Sequence, residues 1–122
     1  MIKTVDGLIF GAFASEQWYQ SSKFYGTGDC FVFTFKDQKY AAYKWSKMNE
    51  MFMYSPQSGI RMGSSFVTLQ HGDTIFLSAI SIDKDFRFGS SKPCSTFHSP
   101  QLTNEEDFEI YAAELLYVCL PF

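Results

Sequence analysis

The chain has 122 residues, 46% of them hydrophobic, a formal net charge of −3 and no cluster of Lys and Arg. That length fits one domain with a real core, since a chain of this size buries roughly two-thirds of the surface it exposes when unfolded. The missing basic footprint excludes nucleic acid and anionic lipid as main partners, because phosphate binding needs one.

No apolar run approaches the ~20 residues of a membrane-spanning helix. No charged-then-apolar leader is read, so a cytoplasmic location is expected. Cys30, Cys94 and Cys119 are an odd number at wide spacing. A disulfide framework and a zinc site are therefore not expected, and reduced, mostly buried thiols are. Aromatic residues make up 19% of the chain, with 14 Phe and 7 Tyr, a composition that favours strands.

Met1 to Val5 reads as a short extended run, and Asp6-Gly7 as a hairpin-type turn. Leu8 to Ala14 reads as a second strand, in which Gly11 marks a bulge or a close backbone approach. Residues 15–28 are loop, with one helical turn expected over Glu16 to Trp18. Asp29 to Lys36 is the clearest strand. Phe31, Phe33 and Phe35 share one face, and Cys30, Val32 and Thr34 share the other. Both faces are apolar or small, so this strand is expected to be central and covered on both sides.

Tyr40 to Trp45 pairs back after a Lys-Asp-Gln-Lys turn. Met51 to Tyr54 and Ile60 to Met62 form a pair around Pro56-Gln57-Ser58-Gly59. Residues 62–74 read as a loop, and Ile75 to Ile82 as one strand after the His71-Gly72-Asp73 turn. Phe86 to Phe88 is short. Thr103-Asn104-Glu105-Glu106 has capping-box spacing, with Thr103 as N-cap, and predicts one helical turn. Phe108 to Val118 is the last long strand. Many short strands separated by turns give a mainly β chain with minor α, arranged as an antiparallel two-sheet sandwich.

The candidate chemistry is thin. Gly26-Thr27-Gly28 is followed by a strand, lacks a third glycine, and lacks the Lys-Ser/Thr of a phosphate loop, so it reads as a turn. His71 and His98 are the only histidines. Cys94 lies four residues before His98, but no orienting group stands at a recognisable spacing, so neither histidine is expected to be catalytic. Glu105, Glu106, Asp107 and Glu109 form an acidic cluster that a cap and a solvated face explain better than paired-carboxylate chemistry. Asp73, Asp83 and Asp85 lack the glycine and terminal Glu of an EF-hand loop. Cys30 lies in an apolar strand and reads as inert. Cys94 follows Pro93 in a loop beside Lys92 and is the better candidate for a redox-reactive thiol.

The blocks "GLIFGAFASEQW", "KFYGTGDCFVFTF", "YKW", "FGSSKPCSTF" and "NEEDFEI" occur in one order. Together they resemble the TLDc domain, the family that includes oxidation-resistance proteins. The resemblance implies a two-sheet β-sandwich of TLDc type with short flanking helical turns, and no established active site, cofactor or metal. It implies a non-enzymatic role in protection against oxidative damage. It also implies binding to peripheral subunits of the vacuolar proton-pumping ATPase, with recruitment to vacuolar or lysosomal membranes through that partner. Carried over onto matching positions, Glu16, Gly26, Gly28, Gly89, Ser90, Ser91 and Glu114 are the candidate binding residues. The family domain usually begins well before "DGLIFGA", so residues 1–122 are expected to be one TLDc domain lacking its N-terminal part. An unpaired strand edge and self-association would follow. The "RMGSSFVTLQHGDT" run departs from a glycine-rich family segment, and Leu116 stands at a family Trp position. The competing readings are a Cys94-dependent peroxide scavenger and a generic β-sandwich ligand module.

Overall fold

The computed structural model of the protein describes residues 1–114. Eleven strands occur among the described residues: β1 (Ile2–Thr4), β2 (Ile9–Phe13), β3 (Phe31–Thr34), β4 (Ala41–Lys44), β5 (Met53–Tyr54), β6 (Gly59–Met62), β7 (Ser65–Thr68), β8 (Thr74–Leu77), β9 (Ile80–Asp83), β10 (Phe88–Ser90) and β11 (Asp107–Ala113). Nine of them form one sheet, in the order β4-β3-β2-β1-β11-β10-β9-β6-β5, and β7 and β8 form a separate hairpin. Every pairing is antiparallel.

Strand β11 joins two wings. Its first residues pair with β10 through Phe88↔Glu109, and its later ones pair with β1 through Ile2↔Ala113. The β1–β11 register shifts between Lys3 and Thr4, the irregularity expected where a sheet bends sharply. The inner faces share one core. Phe10 and Val32 come from the first wing; Met53, Met62, Ile80 and Ile82 come from the second. The rings of Phe10 and Phe108 meet edge to face at 5.0 Å across the joint. The segment after β10 fills the space between the wings with buried Ser91, Cys94, Thr96, Phe97 and Leu102. Thr34 Oγ1 donates to the Leu102 carbonyl at 2.6 Å and so ties β3 to that segment.

This is not a closed sandwich of two sheets. The far edges, β4 and β5, do not pair with one another. The wings are held by the core and by short ties instead. Tyr25 and Met53 exchange two backbone hydrogen bonds at 2.9 Å, and Ser46 N donates to Thr96 O at 2.8 Å. A cavity of about 60 Å³ remains where Ile2 and Ala12 of one wing face Ile60, Met62 and Ile82 of the other.

The helical expectations fail. The only helical element among the described residues is the 3₁₀ turn Lys36–Gln38 between β3 and β4. Glu16 to Trp18 is irregular, and Thr103 caps no helix. Thr103 is buried and its hydroxyl instead donates to the Glu105 carbonyl. Gln101 Nε2 donates to Thr103 O at 2.8 Å and Asn104 O at 3.2 Å, so side-chain bonds hold the turn without a helix.

Two strand readings also change. Ile75 to Ile82 is broken at Ser78-Ala79 into β8 and β9, which belong to different sheets. Residues 62–74 are not a loop but the end of β6, strand β7 and the hairpin tip. Strand β3 is second from an edge, and its covered face is Cys30, Val32 and Thr34. Phe31 and Phe33 are only half-buried, and Phe35 is 40% exposed. The expected residues Val118, Leu116 and Cys119 lie outside the described residues.

Candidate interaction site

The Gly26-Thr27-Gly28 turn is architectural. Gly26 has φ +100, a conformation side chains disfavour. A Cβ on Gly28 would lie 2.2 Å from the Trp45 ring. Thr27 N donates to Ser15 Oγ at 2.8 Å, and Cys30 Sγ donates to the same oxygen at 3.3 Å. These bonds fix the exposed Glu16 beside the turn. No helix N-terminus stands there to hold a phosphate.

Gly89, Ser90 and Ser91 fall on and just after β10. Gly89 faces inward, where a Cβ would meet Ser81 O at 2.5 Å and the Phe108 ring at 2.8 Å. Ser91 is fully buried; its Oγ accepts from Leu102 N at 2.9 Å. Ser90 looks outward, onto the outer face of β6-β9-β10-β11. There Arg61, Ser81, Asp83, Phe88, Asp107 and Glu109 line an open groove of about 600 Å³. Its floor is strand backbone, its carboxylates outnumber its single Arg, and Phe88 gives it an apolar rim. Asp83 also caps the β9–β10 turn, accepting from Arg87 N at 2.9 Å and Phe88 N at 3.3 Å. Glu114 lies across the molecule on the other wing, where its backbone N donates to Met1 O at 2.8 Å. The carried-over residues are therefore not brought into one site.

No catalytic set forms among the described residues. Cys94 was the expected reactive thiol, and it is buried at 3% exposure. Its Sγ is wedged under Gly63, 2.7 Å from where a Cβ there would stand, and Cys94 and Ser99 exchange backbone bonds. Reactivity needs access, so the loop position misled. Cys30 is buried as expected. His71 is at the exposed hairpin tip, 2.9 Å from Asp73 Oδ2, and His98 is exposed in a turn. Glu106 pairs with Lys92 at 3.2 Å on the surface. No cluster of His, Cys, Asp and Glu suited to a metal occurs among the described residues, and none of their helices is long and apolar enough to cross a membrane.

Sequence reasoning missed the β7–β8 hairpin. It stands off the main sheet with Phe66 and Phe76 paired across it, rings 4.9 Å apart, and both are more than half exposed. Its root is fixed by hydroxyls: Ser95 N donates to Ser65 Oγ at 2.6 Å, and Ser64 N donates to Thr96 Oγ1 at 2.9 Å. Two short apolar runs, "SFVTL" and "TIFLS", flanking Gln70-His71-Gly72-Asp73 were the available signal.

What the geometry defines is a β-rich chain with open strand faces and edges and no assembled chemistry among its described residues. The TLDc domain matches residues 1–118, and the chain belongs to that family. It is 36% identical to "Oxidation resistance protein 1" of Rattus norvegicus over 115 residues, 94% of this chain and 12% of that protein. It is 33% identical to human "Nuclear receptor coactivator 7" over 115 residues, 94% of this chain and 11% of that one. Against "MTOR-associated protein MEAK7" of Xenopus laevis the identity is 33% over 124 residues, 94% of this chain and 25% of that protein. The chain thus spans a small part of the curated relatives it matches.

Proposed function

We propose that the chain is a non-enzymatic TLDc interaction module. In this reading it serves protection against oxidative damage by binding peripheral subunits of the vacuolar proton-pumping ATPase. The observation that carries the non-enzymatic part is the burial of Cys30 and Cys94 together with the scattering of both histidines on the surface. A nucleophile, a base and an orienting group within reach of each other are what catalysis would need. The relatives named for oxidation resistance and for association with another protein support a binding role in stress protection. The module acts in the cytoplasm and reaches vacuolar or lysosomal membranes through its partner. Glu16 and the Gly89-Ser90 groove are the binding positions of this reading, and Glu114 extends it to the other wing.

The test is affinity capture with the full chain from a cytosolic and vacuolar-membrane lysate, beside peroxide consumption by the pure protein. Enrichment of peripheral pump subunits with no peroxide turnover supports the reading. Stoichiometric or catalytic peroxide consumption lost in Cys94→Ser would replace it with the thiol chemistry. Capture without pump subunits would leave a TLDc module with a different partner.

A further inference from the structure

The outer face of β2, β3 and β4 leaves several large aromatic side chains exposed. Phe13 and Phe31 stack at 5.4 Å, nearly parallel. Phe35 and Tyr40 meet at 5.2 Å, and both contact Phe33. Phe13 is 40% and Tyr40 58% exposed. A sheet face of this kind is stable when a second layer covers it, and a patch this apolar marks an interaction site. Lysines stand on the face itself. Lys44 stands opposite Phe31, on the aromatic face. Lys3 leans over the Tyr111 ring on the same side. Lys36 and Lys39 flank the turn between Phe35 and Tyr40. The acids around the face are Asp37 in the turn, Asp6, whose carboxylate is engaged by Thr4 and Asn104, and at the Phe13–Phe31 end Asp29, which Thr27 Oγ1 contacts at 3.4 Å, and the exposed Glu16.

We propose that this aromatic face with its lysine rim docks an amphipathic helix of a partner protein, apolar along one stripe and acidic on both flanks. The inference rests on reading the chain as a protein-binding module, and it gives that module a further surface, separate from the Gly89-Ser90 groove. Three strands about 4.8 Å apart present a width of ~15 Å, the length of a helix of about ten residues. The rings are already locked against one another, so docking orders few side chains. The same face of a second copy would bring the lysine rims together, which disfavours a symmetric dimer. Stacked bases would need free ring faces along the strip, and the nearly parallel Phe13–Phe31 pair covers its own. An anionic bilayer offers the charge but not a stripe matched to a strip of rings.

The experiment measures fluorescence anisotropy of the full chain with two synthetic peptides, each about 18 residues long, beyond the ~12–15 residues below which an isolated helix is marginal. They share one Leu stripe and differ only in having Glu or Lys flanks. The Glu-flanked peptide should bind at least about tenfold more tightly, a preference that weakens towards about 0.3 M salt. The double variant Lys3→Glu, Lys44→Glu should reverse the order, and Lys84→Glu in the β9–β10 turn should not. Circular dichroism checks each fold, and Tyr40→Asp, at an exposed turn residue, gives a second variant that should abolish binding of the Glu-flanked peptide. Equal binding of both peptides or of neither overturns the proposal. So does tighter binding of an oligothymidylate or of phosphatidylserine vesicles, or self-association through this face. Capture of pump subunits by a chain that shows no peptide preference would overturn this surface while leaving the module reading standing.

Discussion

Phe10 and Phe33 sit one residue apart in pairing register and have opposite fates. Phe10 pairs with Thr34 on the inner face and is fully buried; Phe33 pairs with Gly11 on the outer face and is half-buried. Phe10→Ala should cost about 3–5 kcal/mol, the range for a truncated core aromatic. Phe33→Ala should cost closer to about 1–2 kcal/mol, because its ring is only half-buried in the folded chain. Chemical denaturation of both variants checks this, and equal losses would mean that the outer face is covered. Asp6 offers a pH test. The Thr4 hydroxyl first, and then Asn104, hydrogen-bond its carboxylate and hold its pKa below the ordinary value. A depressed carboxyl pKa adds stability that is present above the unfolded pKa and lost as pH falls through the folded one. Asp6→Ala should therefore lower stability at neutral pH, and the gap to wild type should close in strong acid. A gap independent of pH would show that the carboxylate contributes through something other than its charge. The period of two in residues 29 to 36 assigned faces correctly, but it could not say which face points inward. Cys30-Val32-Thr34 and Phe31-Phe33-Phe35 are both compatible with burial, and the choice was made by strands far away in sequence.

At the scale of elements, the strands next to strong turns were legible. Gly7, with φ +94, closes β1 onto β2, and the Lys-Asp-Gln-Lys turn closes β3 onto β4. The missed break at Ser78-Ala79 has a long-range cause. Ala79 N donates to Met62 O at 3.0 Å, while Lys92 N donates to Ser78 O at 3.1 Å, so partners 17 and 14 residues away bend an otherwise continuous apolar run. The candidate site was less legible for the same reason: the groove is assembled from four strands spread over residues 58–109. The hydroxyl joint under the hairpin gives a direct test. Thr96 Oγ1 accepts from Ser64 N and donates to Asn49 Oδ1 at 2.7 Å while fully buried. Thr96→Val keeps the shape and leaves the Ser64 N–H unpaired, while Asn49 Oδ1 keeps its bond from Met51 N at 3.0 Å. The expected loss is about 1–3 kcal/mol, the cost of a buried orphaned polar group. Hydrogen exchange should quicken at Ser64 first, with the β2–β3 ladder protected. Uniform quickening would place the joint inside the global folding unit.

The whole molecule is two wings of one sheet that meet at β11 and share a core. Charge is distributed unevenly between them: the groove of the second wing carries Asp83, Asp107 and Glu109, and the aromatic face of the first carries Lys3 and Lys44. Open edges at β4 and β5 could have let each wing melt by itself, since short ladders of this kind are weak alone. The core argues otherwise, because Met53, Met62 and Ile82 of one wing belong to the same buried cluster as Phe10 and Val32 of the other. Trp18 and Trp45 emission and far-ultraviolet circular dichroism should therefore report one coincident unfolding transition. The contact that reads the joint most directly is Phe10 against Phe108, edge to face at 5.0 Å across the bend. A double-mutant cycle through Phe10→Leu and Phe108→Leu should give a coupling of about 0.5–1.5 kcal/mol, the value for an aromatic pair beyond its area. Leu keeps most of the apolar volume, so the singles should fold. Zero coupling with two separated transitions would mean that the wings are independent units and that β11 is merely a strap between them.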